Sequence, residues 1–146
     1  VPYLPWPGRD CGRPPSTRVL VTMFYASCGS ACPMLIADVS AIVEEAGRDH
    51  LRVVMVTLAP DQDDAAALTD LVQRHKLDAH WMVAASEIGR ERELAATLGI
   101  SYRVLEGGHI NHSSIITLLD KEGRPRASID GLQQPAESLL TVLSTL

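Results

Sequence analysis

Cysteine is scarce in this chain: three residues among 146, at positions 11, 28 and 32. That is too few for a disulfide scaffold, and the odd number leaves at least one thiol unpaired within a monomer, so the fold must rest on a hydrophobic core. Positive charge is also in deficit, with 13 Lys and Arg against 18 Asp and Glu for a formal net charge of -5. A general nucleic-acid binder needs a surplus of cations to neutralise phosphates, so nucleic acid is excluded as a partner, whereas a protein with a basic docking face is not. Long apolar runs are missing too. Arg, Asp, His or Glu interrupts every candidate before the roughly 20 residues that a membrane-crossing helix requires. Membrane attachment would need an anchor that this chain does not contain, and a start at Val1 rather than Met leaves room for an upstream signal or anchor. No internal repeat or low-complexity tract is present.

What is present fits one globular domain. The length is that of a single core, and 46% hydrophobic with 21% charged residues lies near the globular average. Residues 1–17 hold five prolines and two glycines and read as an irregular leader, leaving residues 18–146 for the domain. Val19 to Tyr25 is a nearly continuous apolar run suited to a strand buried on both faces. Pro33 then fits the first turn of a helix, along which Leu35, Val39, Ile42, Val43 and Ala46 recur at helical spacing up to Gly47. Leu51 to Leu58 is a second buried strand, and Asp63 or Asp64 can cap a helix carrying Leu68, Leu71 and Val72. A short strand near Trp81 to Val83 and a helix through Leu94, Ala95 and Leu98 to Gly99 continue the alternation, which implies parallel strands.

After that the rhythm changes. Ser113 to Leu119 and Arg126 to Ile129 read as a hairpin around the turn 120–125, and Leu139, Val142, Leu143 and Leu146 mark one face of a closing helix after Pro135. The expected fold is α/β and thioredoxin-like: a central mixed sheet with flanking helices and a C-terminal β-hairpin plus helix. In such a sheet ligands gather at the carboxyl ends of the parallel strands, the edge at which an antiparallel neighbour begins. Cys28 and His112 are therefore expected to meet despite their separation in sequence.

The chemistry concentrates in two places. Cys28 and Cys32 bracket Gly29-Ser30-Ala31 where the first strand hands over to the first helix. Helix amides and the macrodipole lower a thiol's pKa there, favouring the thiolate that acts as nucleophile or metal ligand. The bland alternative is two small core cysteines, against which their placement at a strand exit argues. Soft thiolates suit Cu(I), and an imidazole also accommodates Cu(II), but the spacing alone does not name the metal. His112, just before the hairpin, would complete a two-Cys, one-His set; the alternative is a surface histidine in a turn following Gly107 and Gly108. His109 is the weaker candidate, more often solvated than bound.

Several separate stretches now carry a resemblance to the Sco family, also called SenC or PrrC, over nearly all of residues 18–146. FYASCGSACP resembles that family's strand-loop-helix motif and HSSIITLLDKEG its histidine-bearing strand and turn, while VTLAPDQD and LAATLGISYRV are similar to segments between them. The resemblance implies copper, as Cu(I), Cu(II) or both, held by Cys28, Cys32 and His112. It implies a metallochaperone rather than an enzyme, acting in the periplasm on a membrane anchor or in the mitochondrial intermembrane space. Its partner would be a copper-receiving protein such as a cytochrome c oxidase subunit, with another copper chaperone as a possible donor. Some relatives act instead on thiols and disulfides. In that alternative Cys28 and Cys32 form a redox-active pair that keeps the acceptor's cysteines reduced, Cys28 attacking and Cys32 resolving.

The chain departs from the family pattern where Gly29-Ser30-Ala31 and Asn111 replace usual acidic residues and where Ala59 precedes Pro60, removing negative charge around the set. Other features have plainer readings. Cys11 is expected to be a free thiol, Trp6 and Trp81 packing anchors rather than shields for a site, and Asp61-Gln62-Asp63-Asp64 a helix cap on a solvated face rather than a hard-cation site. His50, His75 and His80 show no ligand pattern. A zinc-stabilised domain would want a fourth protein ligand, and a peroxiredoxin-like peroxidase would want a threonine-and-cysteine signature that is absent.

Overall fold

The computed structural model describes residues 18–27, 31–47 and 51–146, with side chains in the first helix from Pro33 onward. The expected leader, with Trp6 and Cys11, lies outside the described residues, as does His50. The elements in chain order are β1 (Arg18–Phe24), α1 (Ala31–Ala46), β2 (Leu51–Thr57), α2 (Ala65–Arg74), β3 (Trp81–Ala84), α3 (Arg90–Leu98), β4 (Tyr102–Val104), a short 3-10 turn (Glu106–Gly108), β5 (Ile110–His112), β6 (Ile115–Leu119), β7 (Pro125–Asp130) and α4 (Glu137–Ser144).

Five strands form one mixed sheet in the order β3-β2-β1-β6-β7. β1 and β2 are parallel, with Arg18 opposite Leu51 and Phe24 opposite Thr57, and β2 and β3 continue in parallel. β6 runs antiparallel beside β1, pairing Val19 with Leu119 and Val21 with Thr117, and β7 is antiparallel to β6. Pro125 opens β7 next to a register shift at Leu118/Leu119. Edge position and strand start are where a residue without an N–H can be accommodated.

The period-two alternation of β1 divides the core. Leu20 and Phe24 face an apolar layer shared with Leu35, Ile36, Val39, Ile42 and Val43 of α1, Leu71 of α2 and Leu139 of α4. Val19, Val21 and Met23 face a second layer with Leu94, Ala95 and Leu98 of α3 and with Ile100, Ile110 and Ile115. Both faces of the central strands are thus dry, which is why β1 and β2 read as continuous apolar runs.

Two boundaries move from their expected places. The hairpin strand begins at Ile115 rather than Ser113, because Ser113 is tied back to Ser101 through its amide (2.9 Å to the Ser101 carbonyl) and its hydroxyl, which accepts from the Ser101 amide at 3.0 Å. The stretch before His112, for which the sequence pattern marks no strand and which the alternative reading of His112 makes a glycine-rich turn, is a second, two-stranded sheet: β4 and β5 pair antiparallel, Tyr102 opposite His112 and Val104 opposite Ile110. Gly107 and Gly108, with φ of 84° and 83°, close it in a conformation that side chains with a Cβ rarely adopt.

Candidate metal centre

β1 ends at the carboxyl edge of the sheet. The Phe24 carbonyl accepts the Leu58 amide at 2.6 Å, after which the chain leaves the sheet through Tyr25, Ala26 and Ser27. Tyr25 is buried in the layer that holds Met23, Leu58 and Ala59. α1 begins at Ala31, so Cys32 is its second residue and Pro33 its third, in agreement with the expected proline-started helix. Cys28 and the side chain of Cys32 lie outside the described residues.

His112 reaches this edge from the other side of the sequence. β5 carries it, and the Ile110 side chain two residues earlier is buried in the same layer as Tyr25. The His112 ring is half-buried and meets the Tyr25 ring edge to face, with centroids 5.8 Å apart and planes at 83°, an arrangement favoured by the aromatic quadrupole. The imidazole therefore stands at the mouth of the strand from which the cysteine segment departs. Its Nδ1 lies 3.1 Å from the Ser113 carbonyl. A carbonyl only accepts, so this contact is a hydrogen bond when Nδ1 carries the proton, which leaves the Nε2 lone pair as the ligating one.

Asp63 departs from the expected solvated cap. Asp64 alone caps α2, its carboxylate accepting the Ala67 amide at 2.9 Å. Asp63 is buried, and its Oδ2 accepts both the Ala26 amide, at 2.9 Å, and the Thr57 hydroxyl. Thr57 is fully buried and in turn accepts the Ala59 amide at 3.0 Å. The carboxylate thus ties the start of the cysteine segment to the end of β2. Residue type and spacing gave no means of telling Asp63 from Asp64, since the distinguishing partner is 37 positions away. Tyr25 was likewise unmarked as a contact of the histidine.

The other candidates separate cleanly. His109 is exposed at the tip of the β4–β5 hairpin. Trp81 packs, half-buried, against the α1 layer, as expected of a packing anchor. His75 terminates α2, and His80 lies 3.4 Å from Asp78. Among the described residues no three His, Cys, Asp or Glu side chains are grouped to hold a metal ion. The predicted set is different, since it needs Cys28.

The family model described as SCO1/SenC matches residues 13–146. The chain belongs to the SCO1/SenC family. Solved Sco structures share its thioredoxin-like fold at low sequence identity. Arabidopsis thaliana ScoI with copper bound is 12% identical, with a TM-score of 0.77 over 90% of this chain and 86% of that one. A SCO1/SenC family lipoprotein from Bacillus anthracis is 17% identical, with a TM-score of 0.76 over 90% and 82%. BsSco, in which a disulfide switch was identified and which belongs to a family of cytochrome c oxidase assembly proteins, is 16% identical, with a TM-score of 0.73 over 88% and 79%. No curated protein sequence matches this member of the family.

Proposed function

We propose that this SCO1/SenC protein carries one copper ion on Cys28, Cys32 and His112 and delivers it to a copper-receiving protein during assembly of cytochrome c oxidase. The observation that carries the reading is the His112 ring, held against Tyr25 at the end of β1 with Nδ1 facing the Ser113 carbonyl and Nε2 left to bind. Two thiolates and an imidazole form a soft donor set suited to Cu(I) and able to take Cu(II), so the residues fit the cargo. The copper-bound Arabidopsis relative and the oxidase-assembly role of the family to which BsSco belongs support it. Three protein ligands near a sheet edge leave room for an acceptor's ligand to enter, which delivery requires. The test is a Cu(I) titration against a competing chelator for wild type, Cys28→Ser, Cys32→Ser and His112→Ala. Each Cys variant should lose most of its affinity, and unchanged binding in all three variants eliminates the proposal.

The disulfide switch of BsSco favours a second reading of the same residues, a thiol-disulfide oxidoreductase that reduces the acceptor's cysteines. Cys28 would attack and Cys32 resolve the mixed disulfide, with no need of His112. A His112→Ala protein that binds no copper yet still reduces a disulfide in the acceptor would select it. Either role fits a periplasmic or intermembrane-space location on a membrane anchor, and the Bacillus anthracis lipoprotein supports anchoring. Among the described residues no helix is long and apolar enough to cross a membrane.

A further inference from the structure

We infer that Asp63 is a positioning residue, fixing the approach of the cysteine segment through the Ala26 amide and so setting how readily Cys28 and Cys32 act as a pair. Two loops converge at the carboxyl edge of the sheet, one after β1 and one after β2. Asp63, only 6% exposed, sits between them. Its Oδ2 gathers the Ala26 amide from the first loop and the Thr57 hydroxyl from the second, and the same hydroxyl takes the Ala59 amide. The Asp63 amide itself donates to the Ala59 carbonyl at 2.9 Å, so its own loop is closed on both sides. Ala26 is two residues before Cys28. A buried carboxylate that spends its acceptor on that amide constrains the path into the cysteines more than it stabilises the apolar layers, which it does not join.

The same loop also borders the histidine hairpin. A methyl group placed on Gly108 would lie 3.8 Å from Gln62 Oε1, so the residue before Asp63 adjoins the tip of the element that carries His112. The segment from Ala59 to Asp63 thus holds the end of the β1 loop at Ala26 and adjoins the tip of the β4–β5 hairpin at Gly108. The inference rests on the functional reading above, yet its central contact is measurable without copper.

The experiment uses the full chain, metal-free and reduced, as wild type, Asp63→Ala, Asp63→Asn and Leu118→Ala, the last a destabilised control in mid-sheet. Equilibration with glutathione disulfide converts the two thiols to a Cys28–Cys32 disulfide while the oxidant becomes two glutathione thiols, which receive the two electrons and two protons. A looser approach lowers the effective concentration of one thiol at the other, so the equilibrium constant should fall about tenfold in Asp63→Ala. Asp63→Asn, whose amide oxygen can accept both hydrogen bonds, and Leu118→Ala should stay within about threefold of wild type. Exchange of the Ala26 amide proton is read in parallel and should quicken about tenfold in Asp63→Ala alone. The inference is overturned if Ala26 exchanges equally in Asp63→Ala and wild type, or if Asp63→Ala shifts the thiol equilibrium no more than Leu118→Ala does. A wild-type protein that forms no Cys28–Cys32 disulfide would count against the redox reading instead, with the Ala26 exchange rate still deciding the role of Asp63.

Discussion

Two chemically identical substitutions should change the stability of this protein in opposite directions. Thr57 and Thr117 are both buried strand residues, 0% and 3% exposed. The Thr57 hydroxyl donates to Asp63 and accepts the Ala59 amide, whereas the Thr117 hydroxyl has no hydrogen-bond partner among the described residues. Thr57→Val removes a hydrogen bond to a carboxylate, about 1.5–3 kcal/mol, and strands a buried amide, about 1–3 kcal/mol. Replacing the hydroxyl by a methyl returns about 0.8 kcal/mol of apolar burial. The net expectation is a loss of about 2–5 kcal/mol. Thr117→Val keeps the burial gain and relieves a desolvated hydroxyl, so it should gain about 1 kcal/mol. Thr22→Val, which gives up one hydrogen bond to the Ile115 carbonyl at 2.8 Å, should fall between them with a loss of about 1 kcal/mol. Equilibrium unfolding in urea reads all three. With a slope of about 2 kcal/mol/M, the Thr57 and Thr117 variants should differ in midpoint by about 2 M. The same sign for both, or a difference under about 0.5 kcal/mol, would refute the reasoning, as would a change in slope showing that the denatured state had moved instead.

Leu118→Ala, at a fully buried position facing Leu20, should cost about 2–5 kcal/mol in the same urea assay without altering copper stoichiometry. Gly108→Ala should cost about 1–2 kcal/mol from its left-handed φ. The new methyl would make only an ordinary contact at 3.8 Å, so the loss should appear in stability and in fraying of the β4–β5 hairpin seen by amide exchange. His112→Ala should weaken Cu(II) binding far more than Cu(I) binding, measured by competition for each ion, because two thiolates alone still suit the softer ion.

How much of this was readable beforehand follows from the range over which each feature is determined. β1, α1 and β2 are written in local patterns, a dry run of apolar residues or a helical stripe begun by Pro33, and they lie within a residue or two of where those patterns put them. The β4–β5 hairpin escaped because its strands have three residues each, too few for alternation to show, and because Gly107 and Gly108 suit an irregular turn equally well. The pairing of Tyr102 with His112 is tertiary information. So is the role of Asp63. Either acidic residue before α2 satisfies the rule for a cap, and only the folded chain turns one toward solvent and the other toward Ala26. For His112 the expected edge of the sheet was right on topological grounds. The ring's contact with Tyr25 and the hydrogen bond that frees Nε2 depend on the hairpin that the pattern did not reveal.

The most direct trial of the copper proposal is X-ray absorption at the copper edge on the protein loaded with one equivalent of copper under reducing conditions. Two sulfur scatterers and one imidazole nitrogen should surround the metal in the wild-type chain, with the imidazole signal lost in His112→Ala and a sulfur lost in Cys28→Ser and in Cys32→Ser. An unaltered imidazole signal after removal of His112, or a copper environment without sulfur in the wild type, would contradict the account.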